Sequence, residues 1–187
     1  MKDVPFINKM LLKGQEAGVK VKKEFSGISL EQLNWKPAPE SWSIGQCMDH
    51  LIVTDCLYFP AFKKIAENKF EMTSWQRWSP FSGLFGKLLV SQLQENAKRK
   101  VNTSKIFYPS ASQIDAGVMD RFHKHLDSLL EYIGAFHNTD LDKTYIYSPV
   151  SKFITYSLRH AVTILVQHEH RHINQALRVK SKEEFPN

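Results

Sequence analysis

The sequence predicts an all-α protein, an antiparallel four-helix bundle with a long structured excursion between its second and third helices. Four long segments carry apolar residues at a spacing close to the helical period. No segment shows the alternation of apolar and polar residues that marks a half-buried strand, and no internal repeat or low-complexity tract is present. Four helices joined by loops bury their apolar faces by packing antiparallel around one core, which gives the predicted class.

The first helix is predicted over residues 4–26, because apolar residues recur there at helical spacing and Gly27 is a favourable stop. Residues 29–33 indicate a short turn or helical piece. The connector at residues 36–40 contains two prolines two positions apart, which discourage both helix and sheet.

The second helix is predicted to begin near Ser43, a favourable N-cap residue, and to run to about Asn68. Pro60 predicts a kink or break after Phe59, because proline removes a helical hydrogen bond and clashes with the preceding turn. The segment can therefore be two helices.

The excursion covers residues 70–110, with a short helix expected over residues 88–100. Its high content of large apolar groups argues against a disordered linker, because such groups seek burial. These groups lie among Ser, Pro and Gly residues, and they are Trp75, Trp78, Phe81, Phe85 and Phe107. We expect this region to set substrate specificity by covering a binding site; packing in the core or in a dimer interface is the alternative.

The third helix is predicted over residues 111–136, with Ser110 or Ser112 near its start. A loop through residues 147–150 then leads to the last helix, from about Thr155 to Val179. The length of 187 residues suits one domain, residues 1–187, with a substantial core.

Composition excludes several classes of protein. Hydrophobic residues make up 42% of the chain and charged residues 24%, as in a globular protein, and no apolar run is long enough to span a bilayer. The N-terminal segment lacks the apolar block of a signal peptide, so we expect cytoplasmic residence. The net charge of +6 comes from dispersed residues, and only the run Lys98-Arg99-Lys100 is concentrated, which favours a solvated surface over a nucleic-acid interface.

Two cysteines, Cys47 and Cys56, fall on one predicted helix. Nine residues at about 1.5 Å per residue separate them by roughly 13 Å, beyond the reach of a disulfide. Both are expected to be free thiols. Cys47 precedes a candidate ligand by one turn, where it can be a redox group or simply a small buried hydrophobe.

The segment His168-Glu169-His170-Arg171-His172 carries the clearest chemical signal. His168 and His172 are four residues apart and project from one helix face, where two imidazoles can hold one metal ion, whereas His170 projects to the other side. Glu169 lies about 100° around the helix from His168, so it is the candidate catalytic carboxylate or a surface residue.

The same segment formally matches the H-E-x-x-H pattern of zinc proteases. A protease of this type needs a third protein ligand, and one large class takes it six residues after the second His. Arg178 occupies that position and cannot coordinate, and Glu183 and Glu184 lie in a polar tail. The protease interpretation is therefore disfavoured, and a third ligand is sought upstream.

His50 is the upstream candidate, because its neighbours at helical spacing form a mostly core-like face. His168 and His172 also share a stripe with apolar residues that should point inward. Three imidazoles on the inward faces of two helices can converge in a bundle interior, where a cation offsets the cost of burying them.

Three stretches resemble the DinB/YfiT-like superfamily: W-S-I-x-x-x-x-x-H-L from Trp42, S-P-V-S-K-F-I-T from Ser148, and H-x-x-x-H-x-x-Q from His168. The resemblance covers most of the chain apart from residues 70–110. It implies a four-helix bundle, often a homodimer, with a divalent metal held by three His. Carried over by position, the metal ligands are His50, His168 and His172. The family often has Gly before the terminal Gln, where this chain has Asn174.

Members of this superfamily with assigned activity include low-molecular-weight thiol S-transferases and a mycothiol-dependent isomerase, and others are described as metal-dependent hydrolases. Three nitrogen ligands on a zinc-like ion leave an open position, the arrangement of a catalytic site. A water there gives hydrolysis, and a thiol cosubstrate gives nucleophilic transfer. Three imidazoles accept Zn, Ni, Fe or Mn, so the metal stays open.

The resulting prediction is a metal-dependent enzyme that transfers a low-molecular-weight thiol to a small electrophile or hydrolyses a small substrate. A non-catalytic metal-binding or stress-response bundle is the alternative. The expected partners are a small-molecule substrate and, from the resemblance, a second copy of the chain; neither a nucleic acid nor a membrane is expected.

Overall fold

The computed structural model describes residues 3–92 and 104–187. In these ranges the chain forms eight α-helices and one two-stranded sheet. The helices are α1 (Val4–Phe25), α2 (Leu30–Asn34), α3 (Ile44–Cys56), α4 (Phe59–Ala66), α5 (Ser74–Trp78), α6 (Ser82–Gln92), α7 (Val118–Ala135) and α8 (Leu158–Lys180). The strands are β1 (Tyr145–Ser148) and β2 (Ser151–Ser157), and short 3₁₀ turns lie at Lys105–Phe107 and Phe136–Asn138.

The predicted predominance of helix is confirmed, and α3 begins at the predicted N-cap residue Ser43. The Ser43 hydroxyl accepts a hydrogen bond from the Gln46 backbone N–H, and the Gln46 side chain accepts one from the Ser43 N–H, so α3 begins with a capping box. The division of this segment into two helices is also confirmed, although the break lies at residues 57–58, before Phe59 rather than after it. Pro60 lies in the first turn of α4, where its missing N–H costs no helical hydrogen bond.

The expectation of a chain without strands is wrong for residues 145–157. The loop through residues 147–150 is the turn of an antiparallel hairpin, in which Ile146 is paired with Tyr156 and Tyr147 with Thr155. The predicted start of the last helix at Thr155 is therefore too early. The helix begins after Ser157, whose hydroxyl accepts the His160 N–H.

The third helix also starts later than predicted, at Val118 rather than at residue 111. Within the excursion, α6 covers Ser82–Gln92 in place of the helix expected over residues 88–100. The rest of that expected helix, and the basic run at residues 98–100, lie outside the described residues.

The longer helices form the body of the protein. Helices α1 and α3 each pack against both α7 and α8, and α6 packs against β2 and α8. The largest fully buried side chains in the described residues include Tyr156, Phe62, Phe122 and Phe136. No helix in the part of the chain that the structure describes is both long and apolar enough to cross a membrane.

Candidate metal centre

The three histidines singled out from the sequence lie together. His50 on α3 faces His168 and His172 on α8, and one ring nitrogen from each lies within 4.8 Å of the others. All three residues are buried, with exposed fractions of 2%, 6% and 7%. In the described part of the chain no other group of His, Cys, Asp and Glu side chains gathers its ligand atoms in this way.

Each helix has a local reason to present these residues at this point. The capping box at Ser43 fixes the first turn of α3, so His50 lies two turns inside a helix that is buried along most of its length. Helix α8 runs without interruption from Leu158, and its four-residue spacing puts His168 and His172 on one face. Contact between α3 and α8 then brings the imidazoles together.

A backbone carbonyl sets the orientation of the His50 ring. His50 Nδ1 lies 2.5 Å from the Phe107 carbonyl oxygen, which can only accept, so Nδ1 carries the hydrogen. The lone pair of His50 then resides on Nε2, which lies 3.1 Å from His168 Nε2. A carbonyl that fixes the tautomer of an imidazole is the usual outer contact of a metal-binding histidine.

Burial keeps the three imidazoles uncharged. It lowers the pKa of His50 to about 4, against smaller opposing contributions from the Phe107 carbonyl and Asp49. Burial also lowers the pKa of His168 and His172 well below the usual range, and the neighbouring imidazoles lower them further. The neutral imidazole is the form that binds metals.

The convergence of one ring nitrogen from each of three buried histidines gives a donor set that suits a cation. The Nδ1 atoms of His168 and His172 are buried and have no hydrogen-bond partner, which is costly for a polar atom. The Gln175 side chain contacts the His172 ring, as an orienting residue would. Three buried neutral nitrogen donors with vacant lone pairs fit a divalent ion of the Zn, Ni or Fe type.

Trp42 forms one wall of the cluster. Its ring centroid lies 4.6 Å from that of His50 and 5.7 Å from that of His172. In the sequence, Trp42 is the first residue of the motif W-S-I-x-x-x-x-x-H-L, and that motif gives no sign that its ring contacts the histidines. Among the aromatic residues of the excursion, Trp75 and Trp78 are 45% and 83% exposed. Whether the excursion covers the open side of the cluster stays a prediction.

Residues 104–111, here called the latch segment, are attached to the same face of α3. The Phe107 carbonyl contacts His50, the Ser110 N–H donates to Asp49 Oδ2 at 2.6 Å, and the Ala111 carbonyl accepts from Gln46 Nε2 at 3.3 Å. Gln46 therefore caps α3 and holds the latch segment. These three contacts make the end of the excursion part of the wall around the histidines.

Glu169, the predicted catalytic residue, is 1% exposed, and its carboxyl group faces that of Asp55. Burial raises the pKa of both carboxyls, and the Asp55 charge raises that of Glu169 further. Two buried carboxyl groups in contact cannot both be charged without a high cost, so one of them holds a proton. Glu169 is not among the ligand atoms that gather around His50, so its catalytic role stays a prediction.

The two cysteines are free thiols, as predicted. Cys47 is fully buried, and burial raises the pKa of its thiol to about 12, which suits a small core residue rather than a redox group. Cys56 is exposed at the end of α3.

Comparisons with known proteins point to one family. A family model described as the DinB superfamily matches residues 20–176, a range that contains all three clustered histidines. The uncharacterised protein YuaE of Bacillus subtilis (strain 168) is 28% identical over 171 residues, which cover 89% of this chain and 94% of YuaE. No solved structure matches the chain.

Proposed function

The chain belongs to the DinB superfamily, and on that premise we propose that it is a metal-dependent enzyme in which His50, His168 and His172 hold a divalent ion. The reaction that we propose is transfer of a low-molecular-weight thiol to a small electrophile, with hydrolysis of a small substrate as the other reaction that this centre can support. The observation that carries the proposal is a buried cluster of three neutral imidazoles, one ring nitrogen of each lying within 4.8 Å of the others.

The residues present can support such a centre. When bound, a divalent ion supplies Lewis-acid activation of a thiol or a water at the position that three protein ligands leave open. The Phe107 carbonyl holds His50 in the tautomer that exposes the Nε2 lone pair. Trp42 covers His50 and His172 with an apolar ring, which limits access of bulk water to that side.

Glu169 is proposed as the acid–base residue of this site, and its position sets a condition on that role. Its carboxyl group contacts Asp55, so Glu169 must leave that contact before it can exchange a proton with a substrate.

We also propose an antiparallel four-helix bundle built from α1, α3, α7 and α8, a cytoplasmic location and a homodimer. Light scattering of the purified protein tests the homodimer.

Elemental analysis of the purified protein tests the metal centre. We expect about one divalent ion per chain, and we expect loss of that ion when His50, His168 or His172 is changed singly to Ala, because among residues 3–92 and 104–187 the cluster gathers these three ligands and no fourth. His137→Ala is the matched control, since His137 is an exposed residue outside the cluster. Unchanged metal content in all three cluster variants would show that the ion is held elsewhere.

Turnover assays separate the possible reactions. The metal-loaded protein is tested with thiols plus electrophiles and with ester, amide and peptide panels, and the Glu169→Gln variant is tested beside it. Thiol transfer that disappears with the metal supports the leading proposal. Full metal occupancy without turnover would instead support a non-catalytic metal-binding bundle, and peptide hydrolysis lost on Glu169→Gln with metal retained would support a protease.

A further inference from the structure

We propose that Cys56 is a nucleophilic thiol that forms mixed disulfides with low-molecular-weight disulfides, with His125 as its base and Asp55 as the group that orients His125. This modification site lies outside the histidine cluster. It does not depend on the proposed metal chemistry, so each proposal can fail without the other.

The three side chains form a chain of contacts from solvent to the interior. Cys56, the last residue of α3, is exposed, and its Sγ lies 3.9 Å from His125 Nδ1 on α7. On the other side of the ring, His125 Nε2 lies 3.5 Å from Asp55 Oδ2. A nucleophile next to an imidazole whose other nitrogen faces a carboxylate is the arrangement of a nucleophile–base–orienter set.

The positions of Cys56 and Asp55 around the His125 ring favour proton transfer over metal binding. Cys56 and Asp55 lie on opposite nitrogens of the His125 ring, so the three side chains cannot direct their ligand atoms at one cation. The Asp55 carboxylate favours the tautomer with hydrogen on Nε2, which leaves the Nδ1 lone pair directed at the Cys56 thiol. Phe59 stacks on the imidazole at a centroid distance of 4.5 Å and restricts its rotation.

Asp55 lies where it can orient the His125 ring. Its side chain is fully buried, and neither carboxylate oxygen has a hydrogen-bond partner. Its other close neighbour, Glu169, brings no positive charge. A buried carboxyl group is costly to leave without a polar partner, and His125 Nε2 lies 3.5 Å from Asp55 Oδ2, where its N–H can hold the ring in place.

The resting group at this site is the thiol. Burial raises the pKa of Cys56, and the Asp55 charge raises it further, so little thiolate exists before a reaction begins. A thiol in this state reacts slowly unless a base removes its proton during the attack. His125 is the imidazole placed to do so.

The reaction balances without any further reactant. The Cys56 S–H proton passes to His125 Nδ1 as the sulfur attacks one sulfur of a disulfide RS–SR. The Cys56–S–SR bond forms as the RS–SR bond breaks, and the leaving RS⁻ takes the proton from His125 to become RSH. The small disulfide is reduced and Cys56 is oxidised. Because Cys47 is buried, removal of the adduct requires an external thiol.

The test uses the full-length protein and 2-hydroxyethyl disulfide, a small uncharged probe, at pH 7. Intact-mass analysis and peptide mapping follow the adduct on each cysteine. We expect one adduct, on Cys56, and a rate about 100-fold lower in His125→Gln, at the lower end of the range typical of a positioned base. His123→Gln makes the same chemical change two residues earlier on α7 and should react like the unaltered protein.

Asp55→Asn separates the proposal from a simple electrostatic effect. If Asp55 acted only by raising the pKa of Cys56, its neutralisation would speed the reaction. The proposed orienting role requires the reaction to slow. Labelling of Cys47 reports whether a variant has lost its fold, because that thiol reacts only when the core opens.

Two results would overturn the proposal: an unchanged Cys56 rate in folded His125→Gln, or a faster rate in folded Asp55→Asn. If both variants unfold, the unaltered protein is compared with an unstructured peptide spanning residues 54–58. A slower Cys56 in the protein than in the peptide would also overturn it, and a faster one would support a base in the folded state.

Discussion

Metal-free protein should lose stability as the pH falls from about 6.5 to 4, and His50 should account for a defined part of the loss. Burial lowers the pKa of His50 from 6.5 to about 4. Between these values the unfolded chain binds a proton that the folded protein does not, so the free energy of unfolding decreases as the pH falls. At about 1.4 kcal/mol per pKa unit, His50 contributes about 3 kcal/mol across this window.

Urea unfolding measured in steps from pH 7.5 to pH 4, with a chelator present, tests this value. His50→Gln removes the titrating group, so the variant should show a smaller decrease than the unaltered protein, by about 3 kcal/mol at pH 4. His137→Gln makes the same chemical change at an exposed residue outside the cluster and serves as the matched control. The difference between the variants reports His50 together with its influence on the pKa of His168 and His172, which both proteins retain.

The carboxyl groups of Asp55 and Glu169 also change the stability of the protein with pH, so His50→Gln must be compared with the unaltered protein. Burial raises the pKa of both groups, so in their window the folded protein holds more protons and stability decreases as the pH rises. This trend opposes that of the histidines, and it is common to both proteins. Equal pH dependence in His50→Gln and the unaltered protein would refute the assignment of a buried, uncharged His50.

Three further substitutions test the packing around the site. Gly86→Ala should destabilise the protein by about 1 to 3 kcal/mol in thermal or urea unfolding, because the new Cβ would lie 2.5 Å from the ring of His160. Gly14→Ala meets only the end of a flexible leucine side chain and should be nearly neutral; a larger loss than for Gly86→Ala would contradict this reasoning. Tyr58→Phe removes a 2.8 Å hydrogen bond to the Tyr156 hydroxyl and should cost about 1 kcal/mol; no loss would mean that water replaces the bond.

The ends of helices were predictable from the sequence where an N-cap residue or a proline marks them. The capping residue Ser43 and the position of Pro60 mark real boundaries, because both act within one turn of the chain. The third helix was extended too far toward its N-terminus because apolar Ile114 fits the helical period. Ile114 is buried, yet its backbone N–H donates to the Asn34 side chain rather than to a helical carbonyl.

The hairpin at residues 145–157 was missed although its residues favour strands. Tyr145, Ile146 and Tyr147 are aromatic or β-branched, and so are two of the three residues opposite them, Tyr156 and Thr155. The signal was weak because β1 has only four residues and the register shifts between Tyr147 and Ser148. A two-stranded sheet of this size gains much of its stability from packing, here against α5 and α6, which sequence periodicity does not report.

The candidate site was predictable from its side chains and not from its backbone contacts. The spacing of His168 and His172 follows from helix geometry, and family resemblance added His50. The Phe107 carbonyl that orients His50 has no sequence signature, because every residue has such a group. The pairing of Cys56 with His125 depends on the contact between α3 and α7, which lies beyond local pattern.

The latch segment also has a consequence for how the protein tolerates change. Two of its contacts with α3 use carbonyl oxygens and the third uses an amide hydrogen, so the side chains of Phe107, Ser110 and Ala111 are not what makes them. Replacement of these side chains should be well tolerated. Insertion or deletion of a single residue here would move the carbonyl away from His50, so the length of this segment, more than its composition, is under constraint.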